Sequence, residues 1–301
     1  MLMQAVESYL AIRRAVGFKL RLPSYLLRSF ARFAGERGEQ HVQTATAITW
    51  ATKAPSVAQR DTRLKTVIRF ARHARAEDPL HEVPPDHVFA APLVRRLPYL
   101  FTADELQRIL DAAARLGPPG SLRPHVYWTL LGLIAACGLR LSEAIALQLD
   151  DLTPDGLIIR ETKFHKCRLV PLHETTEQAL RSYLRRRRRI AGATTHIFVS
   201  GRLQPLNQET VRYAWWSLLQ QVGLCGAPGS HTPRIHDLRH VFAIRSLEDC
   251  PAESVDQHRV ALSTYLGHVH LRHTYWYQRA TPVLLGDIAD QCRSYLEGGH
   301  A

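Results

Sequence analysis

The sequence predicts a mainly α-helical protein with a small β-sheet, an α+β fold, arranged in two domains. Apolar residues recur at helix spacing along most of the chain, and two short strand-like segments flank a basic connection. Prolines concentrated in residues 79–99 exclude a regular helix and predict an extended linker. Since 301 residues exceed the usual length of one domain, we place the domain boundary there.

Residues 1–78 are predicted to form the first, helical domain. Apolar side chains follow helix spacing in this region, for example from Leu26 to Phe33. The last helix begins at Ser56, a good N-cap residue, and carries a stripe of basic residues. A solvated face and a DNA-facing surface explain this stripe equally well, and the residues that would contact DNA are Arg60, Arg63, Lys65, Arg69 and Arg72.

The second domain begins with a capping box formed by Thr102 and Glu105. A helix at about residues 126–137 is apolar nearly all round, which is typical of a helix buried in the middle of a domain. This helix ends at Gly138. Arg140 then lies in a short turn, and Ser142 is predicted to cap the next helix. The pattern thus predicts an arginine held on a rigid corner.

Two strands are predicted at residues 157–160 and 167–172, with Lys163 and Lys166 in the connection between them. The helix that follows ends in five consecutive arginines at residues 185–189, which we interpret as a solvated helix end. Two further helices start near Asn207 and His236. In the last of these, His236, Arg239 and His240 are predicted to share one face.

The net charge of +12 indicates a polyanionic partner, either nucleic acid or an anionic membrane surface. Nucleic acid is the better choice, because no apolar run approaches the roughly 20 residues needed to cross a bilayer. The first 20 residues carry charges where a signal peptide would have an apolar core, so we expect an intracellular protein. The five cysteines are scattered and form no Cys-x-x-Cys pair, which favours reduced, packing thiols.

Three separated stretches carry an unusual combination of chemical groups. The first is Gly-Leu-Arg-Leu-Ser-Glu around Arg140, and the second is the His-x-x-Arg pair formed by His236 and Arg239. The third is Leu-Gly-His, ending at His268, with Tyr277 nine residues later. Any one of these fragments alone is weak evidence, but all three occur in one chain.

A fourth stretch, Thr-Lys-Phe-His-Lys-Cys-Arg-Leu-Val-Pro-Leu, runs from 162 to 172. Together the four resemble, in order and spacing, the tyrosine recombinase family of integrase-like enzymes that break and rejoin DNA. The resemblance spans about residues 100–285. It implies catalytic roles for Arg140, His236, Arg239, His268 and Tyr277, and by position for Lys163.

Elementary chemistry supports these roles. Attack on a phosphodiester spreads negative charge over the phosphorus oxygens, and two arginines can hold that charge with forked, permanently charged donors. Tyrosine is a weak nucleophile with a pKa of about 10, so His236 is our candidate proton acceptor. Lys163 would protonate the leaving 5′ hydroxyl, and His268 would bind the scissile phosphate. The chemistry requires no cofactor and no metal.

Several alternatives remain open at the level of single residues. Tyr275 lies two residues before Tyr277, although the spacing from His268 favours the latter. Arg140 could simply cap a helix or pair with Glu143. A histidine pair at positions 236 and 240 could bind metal, but no third ligand is evident. We expect Lys166 and Arg168 to contact phosphates rather than to catalyse.

The resemblance also implies an organisation and a set of partners. Residues 1–78 would be a core-binding domain and residues 100–284 the catalytic domain, which close around double-stranded DNA. An amphipathic helix at 285–301 would dock in a neighbouring protomer of a homotetramer, with other recombinases as further candidate partners. The Tyr-Trp-Tyr sequence resembles transposon-carried members, which favours integration of a mobile element in the bacterial cytoplasm, at the nucleoid.

Two rival functions follow from the same features. A type IB topoisomerase uses similar chemistry but reseals the same strand, so it would relax supercoiled DNA that lacks a specific site. A DNA-binding accessory protein with an inactive site would bind DNA without cleaving it. The intact set of residues at 140, 163, 236, 239, 268 and 277 argues against the accessory protein.

Overall fold

The structure is a computed structural model that describes residues 2–89, 97–160, 167–190, 194–226, 232–251 and 254–267, together with His270 and Thr274. The chain divides into two compact units, Met1–Arg95 and Arg96–Ala301. The predicted fold class is confirmed, since the described part is mainly helical with one three-stranded antiparallel sheet. None of its helices is long and apolar enough to cross a membrane.

Within residues 2–89, the first unit contains four helices: α1 (Leu2–Ala15), α2 (Arg21–Gly35), α3 (Thr44–Thr52) and α4 (Val57–Glu77). Their apolar faces form one core, in which the rings of Phe30 and Trp50 meet edge to face at 5.5 Å. Ser56 caps α4, as predicted, by accepting a hydrogen bond from the Gln59 N–H at 3.3 Å.

The segment after α4 is packed against the first unit up to residue 89. His81 is buried, and its Nδ1 accepts the backbone N–H of Val42 at 3.0 Å. The Glu82 N–H donates to the Val42 carbonyl at 2.9 Å. Prolines prevent a helix here but do not prevent packing, so an extended linker remains a prediction only for the later part of residues 79–99.

The second unit contains seven α-helices in its described part, with the sheet between the third and the fourth. The helices are α5 (Ala103–Ala114), α6 (Arg123–Cys137), α7 (Leu141–Ala146), α8 (Glu174–Arg188), α9 (Gln208–Gln221), α10 (Ile235–Glu248) and α11 (Val255–Leu266). The strands are β1 (Leu152–Thr153), β2 (Gly156–Ile159) and β3 (Arg168–Val170), paired in the order β1-β2-β3. The short strand β1 was not predicted.

Helix α6 lies at the centre of the second unit and packs against α5, α8 and α10. Buried residues occupy most of its circumference, which confirms the prediction of a central helix, and one narrow face carries Trp128, which is 38% exposed. It ends at Gly138, whose backbone is left-handed with φ 59°. A Cβ atom there would lie 2.5 Å from the Phe242 ring, so glycine is required for this turn.

Two local predictions were wrong. Helix α7 begins at Leu141, so its N-cap is Arg140 and not Ser142, because the Glu143 carboxylate reaches back to the Arg140 N–H at 2.9 Å. In the arginine run at 185–189, four side chains are exposed as predicted, but Arg187 is buried. Arg187 donates to the carbonyls of Thr194 and His196, contacts that its position in a charge run does not reveal.

Candidate active site

Three arginines from different elements surround one buried carboxylate, that of Glu143. Arg140 donates from Nη1 to Glu143 Oε1 at 2.6 Å. Arg168, on β3, makes a two-point contact, at 3.1 Å to Oε1 and 2.8 Å to Oε2. Arg239, on α10, places Nη1 3.8 Å from Oε2. We call Arg140, Arg168, Arg239 and Glu143 the arginine cluster.

The arginine cluster keeps Glu143 ionised. Burial alone would raise the pKa of this carboxyl, but hydrogen bonds and charge from Arg168, together with Arg140, lower the pKa to about 2. Three arginines against one carboxylate leave two positive charges in the cluster. A site with this excess of fixed positive charge is suited to bind an anion.

Arg140 and Arg239 both reach the C-terminal end of α11. Arg140 donates from Nη2 to the Gly267 carbonyl at 3.2 Å, and Arg239 donates from Nη2 to the Leu266 carbonyl at 2.6 Å. Arg239 also donates to the Gly138 carbonyl at 2.7 Å. These bonds join the end of α6 to the end of α11. The chain leaves α11 directly into His268, so the arginines lie beside the start of the third motif.

The side chain of Arg140 is 29% exposed, whereas that of Arg239 is 1% exposed. Arg140 is therefore the more exposed arginine of this pair, and Arg239 lies behind it at the same end of α11. A charged group so fully buried must have several polar partners to offset its desolvation, and two backbone carbonyls supply them.

His236 lies in the first turn of α10, and the residue as a whole is exposed. Its ring is 4.6 Å from that of His240 and nearly perpendicular to it. The pKa of His236 is lowered to about 4, because protein atoms desolvate the ring and because Arg239 and Arg140 hold positive charge nearby. The imidazole is therefore neutral at pH 7 and can accept a proton.

Four predicted site residues lie outside the described residues: Lys163, Lys166, His268 and Tyr277. Arg168 is among the described residues, and its side chain is turned toward Glu143 and away from solvent. Its side chain is 11% exposed and its guanidinium is bonded to Glu143. In the described part of the chain, no group of three His, Cys, Asp or Glu residues is placed to bind a metal.

Most side chains of the basic stripe predicted on α4 have hydrogen-bond or ion-pair partners within the first unit. Arg60 donates to the Ala54 carbonyl at 2.8 Å, and Arg63 donates to the Trp50 carbonyl at 3.3 Å. Lys65 pairs with Asp61 at 2.7 Å, and Arg72 pairs with Asp86. Arg69 is exposed. These contacts reduce the positive charge that the stripe presents to solvent.

A second basic surface, missed from the sequence, lies where α1 meets α2. A groove of about 420 Å³ is lined by five basic residues, by Tyr25, which is 69% exposed, and by two serines. We call it the basic groove, and its basic residues are Arg14, Lys19, Arg21, Arg28 and Arg32. Arg28 pairs with Glu7 at 2.6 Å. The sequence does show basic residues recurring from 14 to 32. They were not recognised as one surface because they are distributed over two helices and the turn between them.

Comparison with known proteins identifies the family. The profile described as the phage integrase family matches residues 100–282. The chain belongs to the phage integrase family. It is 41% identical to the putative integrase/recombinase y4rB of Sinorhizobium fredii, over 94% of each chain. It is 30% identical to the tyrosine recombinase XerD of Xanthomonas axonopodis pv. citri, over 76% of this chain and 74% of XerD.

The fold agrees with this assignment. A lambda integrase tetramer bound to a Holliday junction is similar with a TM-score of 0.62 and 20% identity, over 89% of this chain and 77% of that chain. The resemblance inferred from the four motifs is thus confirmed. The protein is a tyrosine recombinase, an enzyme that breaks and rejoins DNA strands.

In this recombinase, replacing Glu143 with glutamine should lower stability and change its dependence on pH. A folded pKa of about 2, below the ordinary 4.5, gives stability that is present above pH 4.5 and is lost as the pH falls toward 2. Glu143→Gln should cost about 3 kcal/mol at pH 7 because it removes the buried negative charge that offsets the three arginines. Urea unfolding of the full chain at several pH values between 3 and 7 measures both effects.

Glu177→Gln provides the matched control, since Glu177 is a partly exposed carboxylate paired with Arg181 on α8. It should change stability by less than about 1 kcal/mol. If Glu143→Gln keeps the wild-type decline of stability below pH 5, the arginine cluster does not hold Glu143 ionised in solution.

Proposed function

We propose that this recombinase cleaves DNA by attack of Tyr277 on a phosphate held between Arg140 and Arg239. The observation that carries the proposal is the meeting of these arginines at the end of α11, directly before His268 in the sequence. Tyr277 follows nine residues later. Fixed cationic donors beside the point where charge develops are the main source of rate in such a transfer.

The proton movements follow from the neighbouring groups. The Tyr277 oxygen forms a bond to phosphorus as its proton passes to neutral His236, and the bond from phosphorus to the 5′ oxygen breaks. Lys163 gives a proton to that oxygen, which leaves as a hydroxyl. The product is a 3′ phosphotyrosyl bond, which another 5′ hydroxyl can attack in the reverse reaction. The energy of the broken bond is kept, so neither nucleotide hydrolysis nor a metal is needed.

A nicked suicide substrate tests this function. The nick lets a short fragment diffuse away after cleavage, so that the reverse reaction stops and a protein–DNA adduct accumulates on a denaturing gel. We expect an adduct to the 3′ phosphate, and strand exchange between two copies of the cognate site. Relaxation of supercoiled DNA without such a site would support the topoisomerase instead, and binding without any adduct would support an inactive accessory protein.

We further propose that the basic groove is the main DNA contact of the first unit, and that the exposed Arg69 of α4 is an additional candidate contact. Five cationic side chains line the groove, and the Glu7 carboxylate offsets one of these charges. Most cationic side chains of α4, in contrast, have partners within the unit. Phosphates of DNA favour clustered arginine and lysine, and an exposed tyrosine can donate to a phosphate oxygen. The proposal moves the predicted contact from α4 to the junction of α1 and α2.

Neutralising two cations in the groove should therefore weaken binding. The double variant Lys19→Gln with Arg21→Gln should lower DNA affinity about tenfold at moderate salt. Each lost phosphate contact should also make the slope of log affinity against log salt concentration shallower by about 0.9. The matched pair Lys65→Gln with Arg72→Gln, on α4, should change affinity less than about twofold. Fluorescence anisotropy at several salt concentrations measures both. The opposite ranking would return the contact to α4.

The assembly and biological role remain proposals. Lambda integrase has been seen as a tetramer on a Holliday junction, which supports a tetramer of this chain on double-stranded DNA. Residues 285–301, the predicted exchanging helix, lie outside the described residues. The similarity to y4rB, a putative integrase/recombinase, supports a role in DNA integration. We propose that the DNA integrated is a mobile element and that the reaction takes place in the cytoplasm, at the nucleoid.

A further inference from the structure

We propose that Arg168 is a positioning residue that aligns Lys163 with the phosphate site by fixing the β-hairpin to α7. The inference rests on the proposed function, because it gives Arg168 a task in strand cleavage. It replaces the sequence-based expectation that Arg168 contacts a phosphate. The evidence is the geometry of its contact with Glu143.

The two-point contact of Arg168 with Glu143 connects two elements that carry different parts of the chemistry. Glu143 lies on α7, three residues after Arg140, and its carboxylate also accepts the Arg140 N–H. Arg168 is the first residue of β3, where it pairs with Ile159 of β2. A forked contact fixes both the distance and the angle between the groups, which a single bond does not.

Arg168 also packs against the end of α11. A Cβ atom at Gly267 would lie 3.1 Å from Arg168 Nη1, so the guanidinium lies against the backbone of this glycine. The Gly267 carbonyl in turn accepts a hydrogen bond from Arg140. The base of the hairpin is thus held against both the Arg140 corner and the chain that leads into His268.

Arg168 is close in the sequence to Lys163, the proposed proton donor. Lys163 lies five residues before Arg168, in the connection between β2 and β3. A general acid must come within about 2.6–3.2 Å of the leaving oxygen, and an error of 1 Å can cost about 10²-fold in rate. Fixing the strand that follows the connection restricts where the lysine can reach.

A substrate that needs no general acid isolates this role. When sulfur replaces the bridging 5′ oxygen of the scissile phosphate, the leaving group is a thiolate, whose conjugate acid has a pKa of about 8.5, so it departs without a proton. Arg168→Lys keeps the charge but loses the forked contact. We expect single-turnover cleavage of the oxygen substrate to slow by about 10²-fold. On the sulfur substrate, the variant should stay within about threefold of wild type.

Lys163→Ala should show the same pattern, and the double variant should be no slower on the oxygen substrate than Lys163→Ala alone, since both changes act on one step. Arg160→Lys is the matched control, because Arg160 follows β2 on the other side of the connection and pairs with Asp151. It should cleave both substrates at the wild-type rate. If Arg168→Lys unfolds, the same comparison is made in a stabilising osmolyte, which favours the folded state without restoring the forked contact.

Equal slowing of Arg168→Lys on both substrates would overturn the inference, because it would show a purely structural role. A wild-type rate on the oxygen substrate, or multiplied losses in the double variant, would also overturn it. Failure of the proposed function looks different: the wild-type protein would then form no adduct with either substrate.

Discussion

Replacing Tyr277 with phenylalanine is expected to abolish formation of the covalent protein–DNA adduct. The change removes one oxygen and keeps the ring, so packing is preserved while the nucleophile is lost. Removal of a nucleophile from an enzyme that uses covalent catalysis reduces the rate by about 10⁴-fold or more. Incubation with the nicked suicide substrate, followed by a denaturing gel, measures the effect directly. DNA binding in a gel shift should remain.

The neighbouring Tyr275 supplies the matched control, since it offers the same hydroxyl two residues away. Tyr275→Phe should form the adduct at a rate within about tenfold of wild type, the cost of about one hydrogen bond. If Tyr277→Phe still forms the adduct while Tyr275→Phe does not, the nucleophile has been assigned to the wrong tyrosine. Peptide mapping of the wild-type adduct would then locate the modified residue.

The second large effect is expected from Arg140→Ala, which should slow single-turnover adduct formation by about 10²-fold to 10³-fold. Arg140 is the partly exposed arginine of the cluster, and its removal takes a fixed positive charge from the phosphate site. DNA affinity should change far less than the rate, because one phosphate contact among many is lost. Quenched-flow measurement at saturating DNA separates the two quantities.

Arg140→Ala also tests the plainer alternative raised by the sequence, that this arginine serves only to pair with Glu143. The pair exists, at 2.6 Å. Arg168 still contacts Glu143 at both oxygens, so loss of Arg140 should leave the carboxylate paired and the fold intact. A variant that melts near the wild-type temperature but cleaves slowly supports catalysis. An unchanged cleavage rate would show that the role of Arg140 is only structural.

Arg181→Ala is the control for loss of an arginine in the second unit. Arg181 lies on the exposed face of α8 and pairs with Glu177. An exposed pair of this kind contributes less than about 1 kcal/mol, so neither stability nor cleavage should change measurably. A comparable loss of activity in both variants would mean that the assay responds to net charge and not to the site.

Much of the candidate site could be predicted because its signals are local. Residues that cap helices, such as Ser56, Thr102 and Asn207, act on backbone groups within three positions, and all three cap helices in the structure. The face shared by His236 and Arg239 follows from helix periodicity. The arginine, histidine, lysine and tyrosine residues of the motifs indicate phosphate binding and proton transfer, even before the distances between them are known.

The contacts that the sequence did not reveal join distant parts of the chain. Arg168 and Glu143 are 25 residues apart, and Arg239 bonds to a carbonyl 101 residues away. Sequence spacing contains no information about such distances. The arginines of α4 and Arg187 could not be separated from solvated charges for another reason: several partners are carbonyls only six or seven residues away, and the sequence does not show which carbonyl a turn brings to the guanidinium.

The sequence by itself therefore determined the fold class, the order of the helices and the family, and it predicted the residues suited to cleave DNA. These follow from periodicity, capping and motif spacing, which are properties of short segments. Only the tertiary structure decided that Glu143 gathers three arginines, that Arg168 is buried against it, and that the basic groove joins two helices. Charge and burial at those positions arise from groups that the fold brings together, so they exist only once the chain has folded.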